Sequence, residues 1–125
     1  MPAYDRTFSP PAPVADLILT HPATGVRSDP LRGKLDSGAD IVVIPEVLVE
    51  ALGLSPHARA WARGYDGTYS QRQVYYARLS IEGFELPGVR CIATDRRDVL
   101  VGRNVLNRFV ITLDGRQLRF HLRPA

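Results

Sequence analysis

Leu35-Asp36-Ser37-Gly38-Ala39-Asp40 is the stretch on which the reading of this chain turns. It places two carboxylates, a hydroxyl and a glycine in a short polar loop between an apolar approach through Leu31 and Leu35 and a β-branched run, Ile41 to Ile44. Gly38 has no side chain, so a substrate or a second backbone can come close to Asp36. Asp, Ser and Gly are also common turn residues for purely local reasons, and the loop alone could be an ordinary turn. One carboxylate is a weak catalyst. Two held about 3 Å apart cannot both ionise, and the shared proton lets one oxygen activate water while the protonated partner polarises a peptide carbonyl.

Working outward from the loop, short apolar runs alternate with turn residues at the spacing of an all-β domain. Leu17 to Thr20 reads as a strand, Pro22 to Gly25 as a turn, and Leu31 to Leu35 as the returning strand. After Ile41 to Ile44 comes one helix of two turns at most, with Pro45 at its first position, Glu46 at its positive end and Gly53 at its close. Ala58 to Gly64 and Thr68 to Ile81 flank Tyr65-Asp66-Gly67, and Asp-Gly between strand-like segments signals a hairpin. Phe84 to Thr94 runs back, and Val99-Leu100-Val101 is a short apolar run stopped by Gly102. Phe109, Ile111 and Leu113 alternate up to Asp114-Gly115, then Leu118, Phe120 and Leu122 alternate down, which makes a closing hairpin. Residues 1–13, with four prolines, read as an extended arm, and residues 14–125 as one domain.

Two motifs together carry a resemblance. Asp36-Ser37-Gly38-Ala39 resembles the Asp-Thr/Ser-Gly-Ala signature of retroviral-type, or retropepsin-like, aspartic proteases, and Asp40 falls where many of them also carry Asp. Leu100-Val101-Gly102-Arg103-Asn104-Val105-Leu106 resembles the family's second motif, two apolar residues followed by Gly-Arg-Asn or Gly-Arg-Asp and a short helix. Both stand at the family's spacing with a hairpin between them.

The resemblance implies an all-β closed barrel or sandwich with a ψ-shaped core, a flap hairpin and one or two short helices, working as a homodimer. Asp36 would be the catalytic aspartate, Ser37 would hydrogen-bond to the partner's loop, and Gly38 would lie by the substrate backbone. Ala39 and Asp40 would line the cleft, with Arg103 pairing with Asp40. Gly64, Tyr65, Asp66 and Gly67 would form the flap over a peptide substrate. Leu100, Val101 and Gly102 would pass beside the catalytic loop. No metal or other cofactor is implied. Two features depart from relatives: no second Asp-Ser/Thr-Gly occurs, so Asp36 must meet its copy in another chain, and the hairpin tip carries Tyr65, Asp66 and Tyr69 instead of a glycine-rich, aliphatic tip.

Composition narrows the other classes. With 125 residues, 45% hydrophobic and 23% charged, the chain suits a single globular domain and no second one. Its 16 basic residues against 13 acidic ones are scattered, with no run that would track a nucleic-acid backbone. Nothing approaches the ~20 apolar residues of a membrane span, and no signal peptide opens the chain, so the cytoplasm is the expected compartment. Cys91 is the one cysteine, which excludes an internal disulfide. His21, His57 and His121 fit no metal-ligand spacing, and Ser37 has no nearby histidine to activate it. The rival to a protease is the same fold kept as an inactive binding or dimerisation module.

Overall fold

Val42-Val43-Ile44 and Val99-Leu100-Val101 are uninterrupted apolar runs, and every residue in both is buried. Such runs belong to strands covered on both faces, because successive side chains point to opposite sides. In the computed structural model, which describes residues 1–63 and 66–125, the two runs lie in strands at the centre of the sheet.

The chain forms β1 (Val14–Thr20), β2 (Leu31–Leu35), β3 (Val42–Pro45), α1 (Glu46–Leu52), β4 (Ala58–Arg63) and β5 (Tyr69–Ile81). It continues through β6 (Phe84–Thr94), β7 (Val99–Val101), α2 (Arg103–Leu106), β8 (Phe109–Asp114) and β9 (Arg119–Pro124). The strands run β1-β2-β7-β3-β6-β5, and β5 pairs again with β1, which closes a barrel; β4 extends the sheet beyond β5. β8 and β9 pair separately.

Strand parity divides the apolar residues into two groups. Val42 and Ile44, Tyr75 and Ala77, Cys91 and Ala93, and Val99 and Val101 join the main core with Leu17, Leu19 and Phe120. Residues of the opposite parity, Val43, Val74, Ile92 and Leu100, form a second small cluster, packed against Ile41 and Ala62. Ala62 belongs to β4, so the β4–β5 hairpin lies against the same small cluster as the segment that follows Asp40. Ile41, beside the loop, and Ala62, near the tip end of the hairpin ladder, thus pack on one small cluster.

Pro45 is extended, with φ −64° and ψ 142°, and caps α1 instead of starting it; Glu46 is the first helical residue. A residue before the first turn must keep a non-helical ψ, and Pro45 is still paired with Thr94 as the last residue of β3. The closing hairpin turns later than Asp114-Gly115: Leu118 sits in the turn at φ 54°, and Asp114 holds that turn by accepting the Gln117 N–H at 2.9 Å. Residues of the Pro-rich opening lie along β9, with the Tyr4 N–H donating to Leu118 O at 2.8 Å and the Phe120 N–H to Pro2 O at 3.0 Å. No helix among the described residues is long and apolar enough to cross a membrane.

Candidate active site

β7 runs between β2 and β3, parallel to the first and antiparallel to the second, so the segment 36–41 that joins β2 to β3 loops around the end of β7. This is the ψ-shaped core. The ladder pairing Leu35 with Val101 continues into the loop, where the Asp36 N–H donates to Val101 O at 3.0 Å. Asp36 thus sits one residue past a strand buried between neighbours, and its main chain is fixed by that strand.

The loop then closes on itself. The Gly38 N–H donates to Asp36 Oδ1 at 2.9 Å and the Ala39 N–H to Asp36 O at 3.2 Å. One carboxylate oxygen of Asp36 is therefore held by the loop backbone, while Oδ2 accepts no hydrogen bond from a described residue. The side chain is half-buried, and Ser37, Gly38 and Asp40 are exposed.

Helix α2 fastens the far side of the loop. The first N–H groups of a helix have no partner within it. Here those of Arg103 and Asn104 donate to Ala39 O at 2.9 Å and Asp40 O at 3.2 Å. The Arg103 guanidinium spans the loop, with Nη1 donating to Ser37 O at 2.7 Å and Nη2 paired with Asp40 Oδ1. Both side chains are largely in water, so the ion pair contributes only about 0–1 kcal/mol to stability, and its effect is mainly positional. Gly102 leads into this helix with no room for a side chain: a Cβ there would fall 2.5 Å from Ile41 C and Ile41 O.

Sequence reading placed Asn104 in the second motif but gave it no role. Its side chain accepts the Val42 N–H at 3.1 Å and donates to Arg90 O at 2.9 Å, joining the start of β3 to β6 beside the loop. An amide offers both donor and acceptor, which is what this gap between two backbones requires. The only signal in the sequence was its place after Gly102-Arg103.

β4 and β5 pair from Ala58↔Val74 to Arg63↔Tyr69, and Asp66, Gly67 and Thr68 lead into β5. Gly64 and Tyr65 lie outside the described residues. Asp66 accepts the Thr68 hydroxyl at 2.7 Å and the Thr68 N–H at 3.0 Å, and these bonds hold its carboxyl below the usual carboxylate range. Gly67 has φ +82°, which an L side chain rarely adopts. Trp61 and Tyr69 are exposed on this hairpin. The structure thus gathers Asp36, Ser37, Gly38, Ala39, Asp40, Leu100, Val101, Gly102 and Arg103 into one unit, with Asp66 and Gly67 apart from it on the hairpin loop.

Two concavities of about 170 Å³ and about 320 Å³ do not include Asp36; the first lies by β6 and α2, the second between α1 and β5. Cys91 is wholly buried, and burial pushes its thiol up to about 12, so it stays protonated and unreactive at neutral pH. No group of His, Cys, Asp and Glu among the described residues is arranged to hold a metal ion.

A barrel with a ψ-shaped core and an Asp-Ser-Gly loop fastened by Gly-Arg-Asn is the arrangement of the retropepsin-like aspartic protease family. The sequence profile described as aspartyl protease matches residues 24–105, and the chain belongs to that family. No curated protein matches it by sequence. Among solved structures, a retropepsin-like aspartic protease from Rickettsia conorii superposes with a TM-score of 0.61 at 15% identity, over 95% of this chain and 94% of that one. EIAV protease complexed with an inhibitor superposes at 0.58, with 18% identity over 77% of this chain and 86% of that one. The retroviral protease-like domain of Ddi1 from Leishmania major gives 0.54, with 15% identity over 87% of each chain. At these identities the likeness is one of fold.

Proposed function

We propose that the protein is an aspartic endopeptidase whose active site is shared by two copies of the chain, each contributing Asp36. The single observation that carries this reading is the state of the Asp36 carboxylate. One oxygen is held by the Gly38 N–H, and the other has no partner among the described residues, on a half-exposed side chain at the rim of the loop. A lone carboxylate so placed has nothing to share a proton with. A second copy supplies it.

In the shared site one carboxyl donates its proton toward the peptide carbonyl oxygen while the ionised partner takes a proton from water. The water oxygen bonds to the carbonyl carbon, and the C–N bond breaks once the nitrogen receives a proton. The loop must hold both carboxylates still, and the bond it donates to Val101 O and those it accepts from Arg103 and Asn104 serve that purpose. Ser37 would bridge the two loops, Gly38, Ala39 and Asp40 would flank the substrate main chain, and Gly64 to Gly67 would close over it as a flap.

The test is cleavage of a mixed peptide library by concentrated protein between pH 4 and 7, read by mass spectrometry beside Asp36→Asn. That change removes an ionisable carboxyl with little change of shape. Wild type should cleave most rapidly in mild acid, because the reaction needs a singly protonated pair, and Asp36→Asn should not cleave. A folded Asp36→Asn protein that kept most of the rate would remove Asp36 from the chemistry. A wild type that forms dimers but cleaves nothing would support the inactive module.

A further inference from the structure

β6 does not pair evenly with β5. Leu86 stands opposite Leu79 and Val89 opposite Ala77, so one residue of β5, Arg78, stands against two of β6, Pro87 and Gly88. This is a β-bulge, and it bends the strand that carries the extra residue. Gly88 takes φ +64°, and a Cβ on it would meet nothing within 4 Å. The concavity of about 170 Å³ lies at this bulge, where β6 faces the α2 segment. Its lining is of two kinds: Leu86, Pro87 and Val89 give an apolar side, and Arg90, Asn104 and Arg108 a polar one. Both charged residues are arginines, and no carboxylate lines the concavity. The Arg90 and Arg108 guanidiniums have neither an ion pair nor a hydrogen bond among the described residues, unlike those of Arg32 and Arg103, which hold Asp16 and Asp40. Their main chains are nevertheless fixed, since Arg90 O accepts Asn104 Nδ2 at 2.9 Å and the Arg108 N–H donates to Val105 O at 2.9 Å.

We propose that this concavity binds a carboxylate carrying an apolar group, the chemistry of the last residue of a peptide chain, and that occupancy stiffens the Asp36 loop. A guanidinium presents its donors in a planar fork that matches the two oxygens of a carboxylate. The apolar group would leave water against Leu86, Pro87 and Val89. Pockets for drug-sized ligands begin at roughly 300 Å³, so this one suits a single residue. Asn104 supplies the link to the loop. It lines the concavity, bridges the Val42 N–H to Arg90 O, and begins the helix whose first N–H groups are bonded to Ala39 and Asp40. A ligand that joins Arg90 on β6 to Arg108 after α2 reinforces the span that Asn104 already bridges. The binding does not depend on the two-copy active site.

The probe is N-acetyl-leucine, with N-acetyl-leucinamide as its uncharged counterpart and inorganic phosphate as an anion without an apolar part. In an NMR titration of the wild-type protein, N-acetyl-leucine should move the side-chain Nε–H signals of Arg90 and Arg108 and saturate with a Kd of about 10 mM or tighter. Both controls should bind at least about fivefold more weakly. Arg90→Gln and Arg108→Gln should each weaken binding by about threefold to tenfold, whereas Arg116→Gln, exposed in the β8–β9 turn, should leave it unchanged. Hydrogen exchange at the amides of Val42, Arg103 and Asn104 should slow when the probe is bound. Should the arginine variants not fold, the wild-type titration still decides. A probe that does not saturate, a control that binds as tightly, or an affinity indifferent to both arginine substitutions would overturn the site. Binding that leaves exchange at those three amides unchanged would overturn its coupling to the loop.

Discussion

The Asp36 loop and the β4–β5 hairpin are built in opposite ways, although Ile41 beside the one and Ala62 in the other pack on the same small cluster. The loop is fastened from three directions: the end of β7 through Val101 O, the start of α2 through Arg103 and Asn104, and its own Gly38 N–H. The described part of the hairpin tip is held by contacts within itself, Asp66 with Thr68 and the Arg63 guanidinium 6.0 Å from the Tyr69 ring. On the proposed reading, a carboxylate that meets its counterpart in a second chain would need the first kind of construction, and a hairpin that admits and releases a substrate would need the second.

The comparison is tested most severely at its two glycines. Gly102→Ala would drive a Cβ into the Ile41 backbone, where no flexible side chain can yield, and should cost about 3 kcal/mol or more. Gly67→Ala meets only the end of the Arg63 side chain, at an ordinary contact distance of 3.9 Å, and an unfavourable φ, so about 1 kcal/mol is expected. Denaturant unfolding of both variants decides the matter, and comparable losses would mean that the loop is no more constrained than the tip.

Asn104→Ala comes next. It leaves the Val42 N–H and Arg90 O without their partner and should destabilise by about 1–3 kcal/mol. A change below about 0.5 kcal/mol would show that water replaces the amide without loss. Arg103→Ala should separate positioning from stability. Its exposed ion pair predicts a loss under about 1 kcal/mol, yet it frees Ser37 O and Asp40, so kcat should fall by more than that stability change explains. An unaltered kcat would make Arg103 a surface residue only.

Thr68→Val should have the smallest effect. Removing the hydroxyl takes away the main cause that holds the Asp66 carboxyl low, so its titration, followed by NMR, should move up toward the ordinary range. The sign is that of a carboxylate favoured in the folded state: the contribution is present above the ordinary value and is lost as pH falls through the lowered one. Asp66 is fully exposed, so the midpoint of thermal unfolding should stay nearly unchanged. An unmoved titration would show that the backbone bond alone sets it.

What could be read from the sequence follows the same division. Asp36-Ser37-Gly38 and Gly102-Arg103 were legible as two motifs resembling one family at its spacing, and at Gly102 the structure shows a steric reason, since a Cβ would meet the Ile41 backbone. The strands were legible from alternation, as at Ala77, Leu79 and Ile81, and from the double burial of Val42 to Ile44. Alternation does not reveal where the core ends, so Leu113 read like Phe109 although only the latter is buried. Nor does it reveal a partner far along the chain. The bridge from Ala3 to Arg119 and the closure of β1 on β5 depend on the assembled barrel, and no local signal encodes them.

The central claim, one site made by two chains, is tested most directly by mixing. Wild-type protein is titrated with a growing excess of Asp36→Asn at constant wild-type concentration, and peptide cleavage is followed after exchange of subunits. If each site needs both carboxylates, mixed dimers are dead, and an excess of the variant should suppress nearly all cleavage. Activity that stays constant, or rises with total protein, would contradict the shared site.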